Sequence, residues 1–143
     1  MRTEKQQLHD MAIASFRASM SNRYGIKCKS MPETNCPYDL LVGGSVKVEV
    51  KSAVQRIANK KKDLTASWKF NLHRHNKLSD AEFDFYALYC HLPTRGIWLI
   101  VPRDELNGMK TLEIRARSMA KKWGKWASDF DAIAKEVKEK VQP

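Results

Sequence analysis

Leu8, Met11, Ala12, Phe16 and Met20 recur at three- and four-residue intervals near the start of the chain, the spacing of one helical face. Thr3 followed by Gln6 matches a capping box, and Gly25 supplies a stop, so a helix is expected from about Glu4 to Arg23. Glu4 stands four residues before Leu8 and seven before Met11, which projects it near the buried stripe rather than straight into solvent. Strand patterns follow at Tyr24–Ser30, at Tyr38–Val42 and Val46–Ser52 around Gly43-Gly44-Ser45, and at Ser67–His73, where Trp68, Phe70 and Leu72 alternate with Lys69, Asn71 and His73. Phe83–Leu92 and Gly96–Val101 are continuous apolar runs, as expected of strands covered on both faces. Gln55–Asp63 is polar and Lys-rich, an exposed loop, and Leu112–Arg115 adds a short strand. Helical patterns at Ser118–Trp126 and Ser128–Val141 close the chain. In the last, Ser128 is the expected N-cap, Asp129 and Asp131 lie in the first turn, and Phe130, Ile133, Ala134, Val137 and Val141 form the apolar face. Helix, strands and helices in that order predict an α/β fold, a mixed sheet core flanked by helices.

The hairpin at Tyr38–Ser52 carries more charge than its fold needs. Val46, Val48 and Val50 share one face, and Lys47, Glu49 and Lys51 share the other. A three-residue loop at Gly43-Gly44-Ser45 pairs Val42 with Val46 and sets Asp39 directly opposite Glu49; a two-residue loop turns the acids to opposite faces. Two facing carboxylates destabilise a sheet unless something offsets their repulsion. A hard divalent cation would do so, since Mg²⁺ is held by one or two carboxylates plus water and phosphate. Lys51, on the same face, could then stabilise a phosphate or orient a water. The same spacing also suits an exposed hairpin whose acids pair with Lys47 and Lys51.

Composition narrows the partner. The 143 residues fit a single domain over 1–143. Twenty-six Lys and Arg against 16 Asp and Glu give a net charge of +10, which attracts polyanions, nucleic acid foremost. Cys28, Cys36 and Cys90 form no CxxC pair, which fits a reducing, intracellular and cytoplasmic setting better than a disulfide framework. No apolar run is long enough to cross a membrane, and MRTEKQQLHD is too polar for a signal peptide. No GxxxxGK[ST] or GxGxxG run supports nucleotide-driven chemistry.

Pro37-Tyr38-Asp39, ten residues, then Glu49-Val50-Lys51 resembles the PD-(D/E)XK nuclease superfamily, with Tyr38 inserted between proline and aspartate. Residues 4 to 102 follow the resemblance; the C-terminal helical patterns lie outside it. The stretches beginning at Trp68, Asp84 and Ile97 are similar to the small group I intron homing-type members. The resemblance implies a restriction-endonuclease-like core and Mg²⁺- or Mn²⁺-dependent DNA cleavage. Asp39, Glu49 and the Val50 carbonyl would be metal ligands, and Lys51 the group that activates water or stabilises charge. It also implies an added acid or amide from the first helix, Glu4 first with Gln7 and Asp10 behind it, and a glutamine after the lysine, where Gln55 stands. Many small members cut both strands with two active sites, which implies a homodimer or homotetramer.

Arg56, Lys60, Lys61 and Lys62 follow the hairpin and are candidates for phosphate contacts beside the cut. Arg74 and Lys77, in NLHRHNK, fit a DNA-facing basic loop; His73 and His75 lack a second ligand pair at zinc spacing, and Cys28 with Cys36 is a wide C-x7-C. Trp123 and Trp126, among Lys121, Lys122 and Lys125, read as packing residues before base-stacking ones. The expected activity is site-specific, homing or restriction-like cleavage of double-stranded DNA. The alternatives are a Holliday junction resolvase acting on branched DNA, a non-catalytic nucleic-acid-binding module on the same fold, and an RNA-processing enzyme on a related one.

Overall fold

The computed structural model describes residues 3–31, 38–57, 66–72 and 83–141. Helix α1 (Glu4–Tyr24) begins at the expected capping box, with Thr3 accepting from the Gln6 N–H and the Gln6 side chain accepting from the Thr3 N–H, and ends at Gly25 in the left-handed conformation. Its buried row is Ala12, Phe16 and Met20, three residues at four-residue steps. Met11, expected in the stripe, is 62% exposed, because the roughly 100° turn per residue carries it off that row.

The strands are β1 (Cys28–Ser30), β2 (Leu40–Val42), β3 (Val46–Val54), β4 (Arg56–Ile57), β5 (Ala66–Asn71), β6 (Phe85–His91), β7 (Gly96–Pro102) and β8 (Thr111–Arg115). They form a five-stranded sheet, β1-β2-β3-β6-β7, and a three-stranded sheet, β4-β5-β8. The large sheet is mixed: β3 and β6 run parallel and the other pairs antiparallel. Helix α2 (Phe130–Val141) closes the described chain.

Each face of the large sheet carries its own core. On one, Val46, Val48 and Val50 pack with Phe16 and Met20 of α1 and with Phe130 and Ile133 of α2. Phe16 sits between Trp98 and Phe130, its ring centroid 5.5 Å and 5.6 Å from theirs. On the other, Trp68, Phe70, Leu112 and Ile114 of the small sheet cover Tyr86, Leu88, Leu99 and Val101. Strand β6 is therefore buried on both sides, as its unbroken apolar run predicts.

Other expectations change: the strand expected at Tyr24–Ser30 shortens to Cys28–Ser30, with Tyr24 the last residue of α1. Arg56–Ile57, placed in a loop, pairs with β5 as a short strand. The helix expected at Ser118–Trp126 is instead two short 3₁₀ turns, Ala116–Ser118 and Gly124–Trp126; Gly124 weakens a continuous helix there. Trp123 is buried and stacks against Trp126 at 5.3 Å, so both indoles pack. Ser128 has φ 54 and gives its N–H to the Trp98 carbonyl at 2.7 Å, so it anchors the chain to β7 ahead of α2 rather than capping the helix.

The hairpin turn holds the fold together through Gly43. Its φ is 60, and a Cβ there would lie 2.6 Å from Val137 Cγ1 of α2. Gly44 also has positive φ, 76, but a Cβ there would meet nothing within 4 Å. Gly44→Ala should therefore cost about 1 kcal/mol through backbone conformation alone, and Gly43→Ala about 2–3 kcal/mol, because overpacking adds to it. Urea unfolding midpoints measure the difference.

Candidate active site

The turn has three residues. Val42 pairs with Val46, Leu41 with Lys47 and Leu40 with Val48, and the Ser45 N–H closes the turn on the Val42 carbonyl at 3.2 Å. The paired register ends at Leu40 with Val48; beyond it the Asp39 side chain contacts that of Glu49. The ladder passes from backbone to side chain there. The Asp39 N–H donates to the Val48 carbonyl at 3.1 Å, and the Val50 N–H donates to Asp39 Oδ2 at 2.8 Å. The N–H and C=O of one strand residue point to the same side, so the Val50 carbonyl also turns toward Asp39.

The two acids differ in surroundings. Glu49 is 3% exposed, and Asp39 is half-buried. Burial pushes the Asp39 carboxyl up, but contacts from His9 and Glu49 and the Val50 N–H outweigh it and bring it from 3.8 down to about 2. His9 Nε2 lies 3.9 Å from Asp39 Oδ2. Across the parallel pair, Tyr86 is the register partner of Glu49. Its hydroxyl is pushed up to about 12 by burial, with the Arg103 charge opposing and the Glu49 charge adding. Arg103, 6% exposed, lies over the Phe83 ring at 4.8 Å. Thus Glu49 stands beside the buried Tyr86 on one side and Asp39 on the other.

The depressed Asp39 carboxyl predicts acid behaviour. A group whose folded pKa is lowered adds stability above its unfolded pKa and loses that contribution as pH falls through the folded value. Asp39 should contribute about 2 kcal/mol above about pH 5, a contribution gone below about pH 2. Urea unfolding of wild type and Asp39→Asn should differ by that amount at pH 6 and converge near pH 2.

Lys51 lies two residues beyond Glu49 on the same face and is half-buried. The start of β3 is clamped from the other side: Asp84 Oδ2 accepts the Lys47 N–H at 2.8 Å and pairs with Lys140 of α2 at 2.9 Å. Glu4 does not stand with Asp39. It lines a cleft of about 640 Å³ with Lys5, Ser52, Ala53, Val54 and Arg56, at the far end of β3. His9, not Glu4, is the α1 residue at Asp39, and Asp10 shares the smaller hollow beside it. Gln55 follows the last residue of β3, roughly 20 Å along an extended strand from Glu49. Arg56 is exposed and lines the same cleft as Glu4. Lys60, Lys61, Lys62, Arg74 and Lys77 lie outside the described residues, as do Pro37 of the motif and Cys36, His73 and His75 of the zinc alternative. Among the described residues no group of three or more His, Cys, Asp and Glu side chains is arranged to hold a metal. Zinc would need about four such ligands; Mg²⁺ needs only one or two carboxylates, completed by carbonyl, water and phosphate oxygens. An ionised Asp39, the adjacent Glu49 and the Val50 carbonyl fit that hard-oxygen set.

His9, Tyr86 and Arg103 were not among the sequence candidates. Tyr86 reads as one more apolar residue of a buried strand, and Arg103 as a charge after Pro102. The only signal for His9 was its place between Gln7 and Asp10 on a helix already expected to serve the site.

The fold and hairpin define a mixed α/β protein with a multi-strand mixed sheet flanked by helices, bearing a pair of adjacent carboxylates on its sheet. Among solved structures, that of the bacterial homing endonuclease I-Ssp6803I matches with a TM-score of 0.67 and 16% identity, over 97% of this chain and 98% of that one. No protein-family model matches the chain, and no curated protein matches it. The fold is thus similar to that of a homing endonuclease. No described helix is long and apolar enough to cross a membrane.

Proposed function

We propose that the chain is a site-specific DNA endonuclease of the PD-(D/E)XK type, dependent on Mg²⁺ or Mn²⁺. The observation that carries this is the contact of the Asp39 and Glu49 side chains at the end of the hairpin, with Asp39 held ionised. The full-length likeness to the homing endonuclease and the charge of +10 support the same reading. Asp39, Glu49 and the Val50 carbonyl would hold the divalent ion. When bound, the ion supplies Lewis-acid activation of a water and neutralises charge developing on the phosphate. The protein's own groups do the rest. The Val50 N–H fixes the Asp39 carboxylate, so its orientation is set before substrate arrives. Lys51 places a cation on the catalytic face, where it stabilises the phosphate oxygens or orients the attacking water. Glu49, held between Tyr86 and Asp39, keeps its position because its inner side is packed. A homodimer or homotetramer supplies a second active site for the second strand.

Incubation with a pool of randomised duplexes, followed by sequencing of the cut ends, tests this directly. Cuts sharing a common sequence in Mg²⁺ or Mn²⁺, and none in EDTA, are expected. Cuts unaffected by EDTA would contradict the metal role; cleavage of four-way junctions alone would give the resolvase reading instead; duplex binding without any cutting would leave a DNA-binding module.

A further inference from the structure

The small sheet has a face that the catalytic hairpin does not use. Along β5 and β8 the inward residues Trp68, Phe70, Leu112 and Ile114 are buried, and the alternate ones, Lys69, Asn71, Thr111, Glu113 and Arg115, are exposed. The register places Lys69 opposite Glu113, Asn71 opposite Thr111 and Ser67 opposite Arg115. Arg56 of β4 pairs with Ser67 and joins the same face. Three cations thus stand with one acid, and Arg115 Nε already donates to that acid, Glu113 Oε1, at 3.4 Å. These are the side-chain types that read base edges: Arg and Lys reach guanine, Asn reaches adenine, Glu accepts from cytosine and Thr meets the thymine methyl.

Size and position agree. Paired strands lie about 4.8 Å apart, and B-DNA's major groove, about 12 Å wide, admits a two-stranded ribbon. The face is also continuous with the catalytic strand. Arg56, Lys69, Asn71 and Thr111 line the same 640 Å³ cleft as Ser52, Ala53 and Val54, the residues directly after Lys51 on β3. Ala53 lies four strand residues from Glu49, about 13 Å, close to the rise of four base pairs.

We infer that the exposed face of the β5-β8 ribbon enters the major groove of duplex DNA about four base pairs from the cut and supplies base-specific contacts. Asn71, Lys69 and Arg115 are its reading residues, and Arg56 sits at its edge toward the catalytic strand. The inference rests on the endonuclease reading for its substrate but concerns recognition, so the two can fail separately.

Selection of bound duplexes from a randomised pool, with Ca²⁺ in place of Mg²⁺, tests it. Wild type should recover a consensus. Lys69→Ala, Asn71→Ala and Arg115→Ala should each lose about tenfold to hundredfold of discrimination at one or two positions, at separate places in the consensus. Thermal midpoints should stay near wild type, because all three side chains are exposed. Lys135→Ala and Lys138→Ala, exposed on α2, should leave the consensus unchanged. If wild type selects a consensus that all three ribbon variants retain, the assignment is wrong. If wild type cuts in Mg²⁺ but selects no consensus, base reading falls and the nuclease reading stands. If it selects a consensus that the ribbon variants blur but never cuts, the ribbon stands and the nuclease reading falls.

Discussion

Asp39→Asn removes metal-dependent cleavage, by at least about 10²- to 10³-fold, while the chain stays folded at neutral pH and still binds duplex DNA. The amide oxygen of asparagine can accept the Val50 N–H that Asp39 Oδ2 now accepts at 2.8 Å, so the hairpin keeps its side-chain rung. What is lost is the charge that a divalent ion needs. Asp39→Ala differs in an informative way. It removes the charge and also leaves the half-buried Val50 N–H without this acceptor, which costs about 1–3 kcal/mol more. Both variants should bind DNA at least as well as wild type in EDTA, because a negative charge has left a site that faces phosphate. Cleavage rates in Mg²⁺, read beside urea unfolding and filter binding, separate lost chemistry from lost fold. If Asp39→Asn cuts at the wild-type rate, the proposed site is wrong.

Deleting Leu41 should be the most damaging single change to the hairpin. Val42 still pairs with Val46, but Leu40 moves opposite Lys47 and Asp39 opposite Val48, and a strand shifted by one residue presents its side chains to the opposite face. Leu40, fully buried against α1 and α2, would then face away from that core. Re-exposing it costs about 1.5–3 kcal/mol, and turning the Asp39 carboxylate toward the core adds to that loss. Asp39 also leaves Glu49, so cleavage is lost. Deleting Gly44 is the control: Gly43-Ser45 makes a two-residue loop that keeps Val42 opposite Val46, so the acids stay together and cleavage is retained. A Leu41 deletion that melts and cuts like wild type would show that the register of β2 does not set the site.

Much of this hairpin was legible because its information is local. Alternation assigns Val46, Val48 and Val50 to one face and Glu49 and Lys51 to the other, and only the turn length was open; the structure closes it at three residues. Helix α1 was readable from its capping box and glycine stop, and β6 from its unbroken apolar run. What failed was decided by distant partners. The segment at Ser118–Trp126 has helical periodicity, yet Trp123 is drawn into the core shared by Trp68 and Leu106, and Gly124 lets the chain turn. Ser128 has the chemistry of a cap but is committed to the Trp98 carbonyl across the fold. The same limit governs the site. Glu4 was the natural helix candidate by its position on α1, but the docking of α1 on β3 brings His9 to Asp39 and carries Glu4 to the cleft beyond Ser52. No spacing within the helix encodes that choice; it depends on how Ala12, Phe16 and Met20 seat the helix against the sheet.

The proposed site requires one divalent ion shared by Asp39 and Glu49 of the hairpin. Crystals grown with duplex DNA and Mn²⁺, with anomalous scattering used to locate the metal, test it most directly. An anomalous peak is expected between the Asp39 and Glu49 carboxylates, about 2.0–2.3 Å from an oxygen of each, and no such peak in Asp39→Asn. A DNA complex whose Mn²⁺ lies elsewhere, or whose Asp39 and Glu49 remain in direct contact with no metal between them, would contradict it.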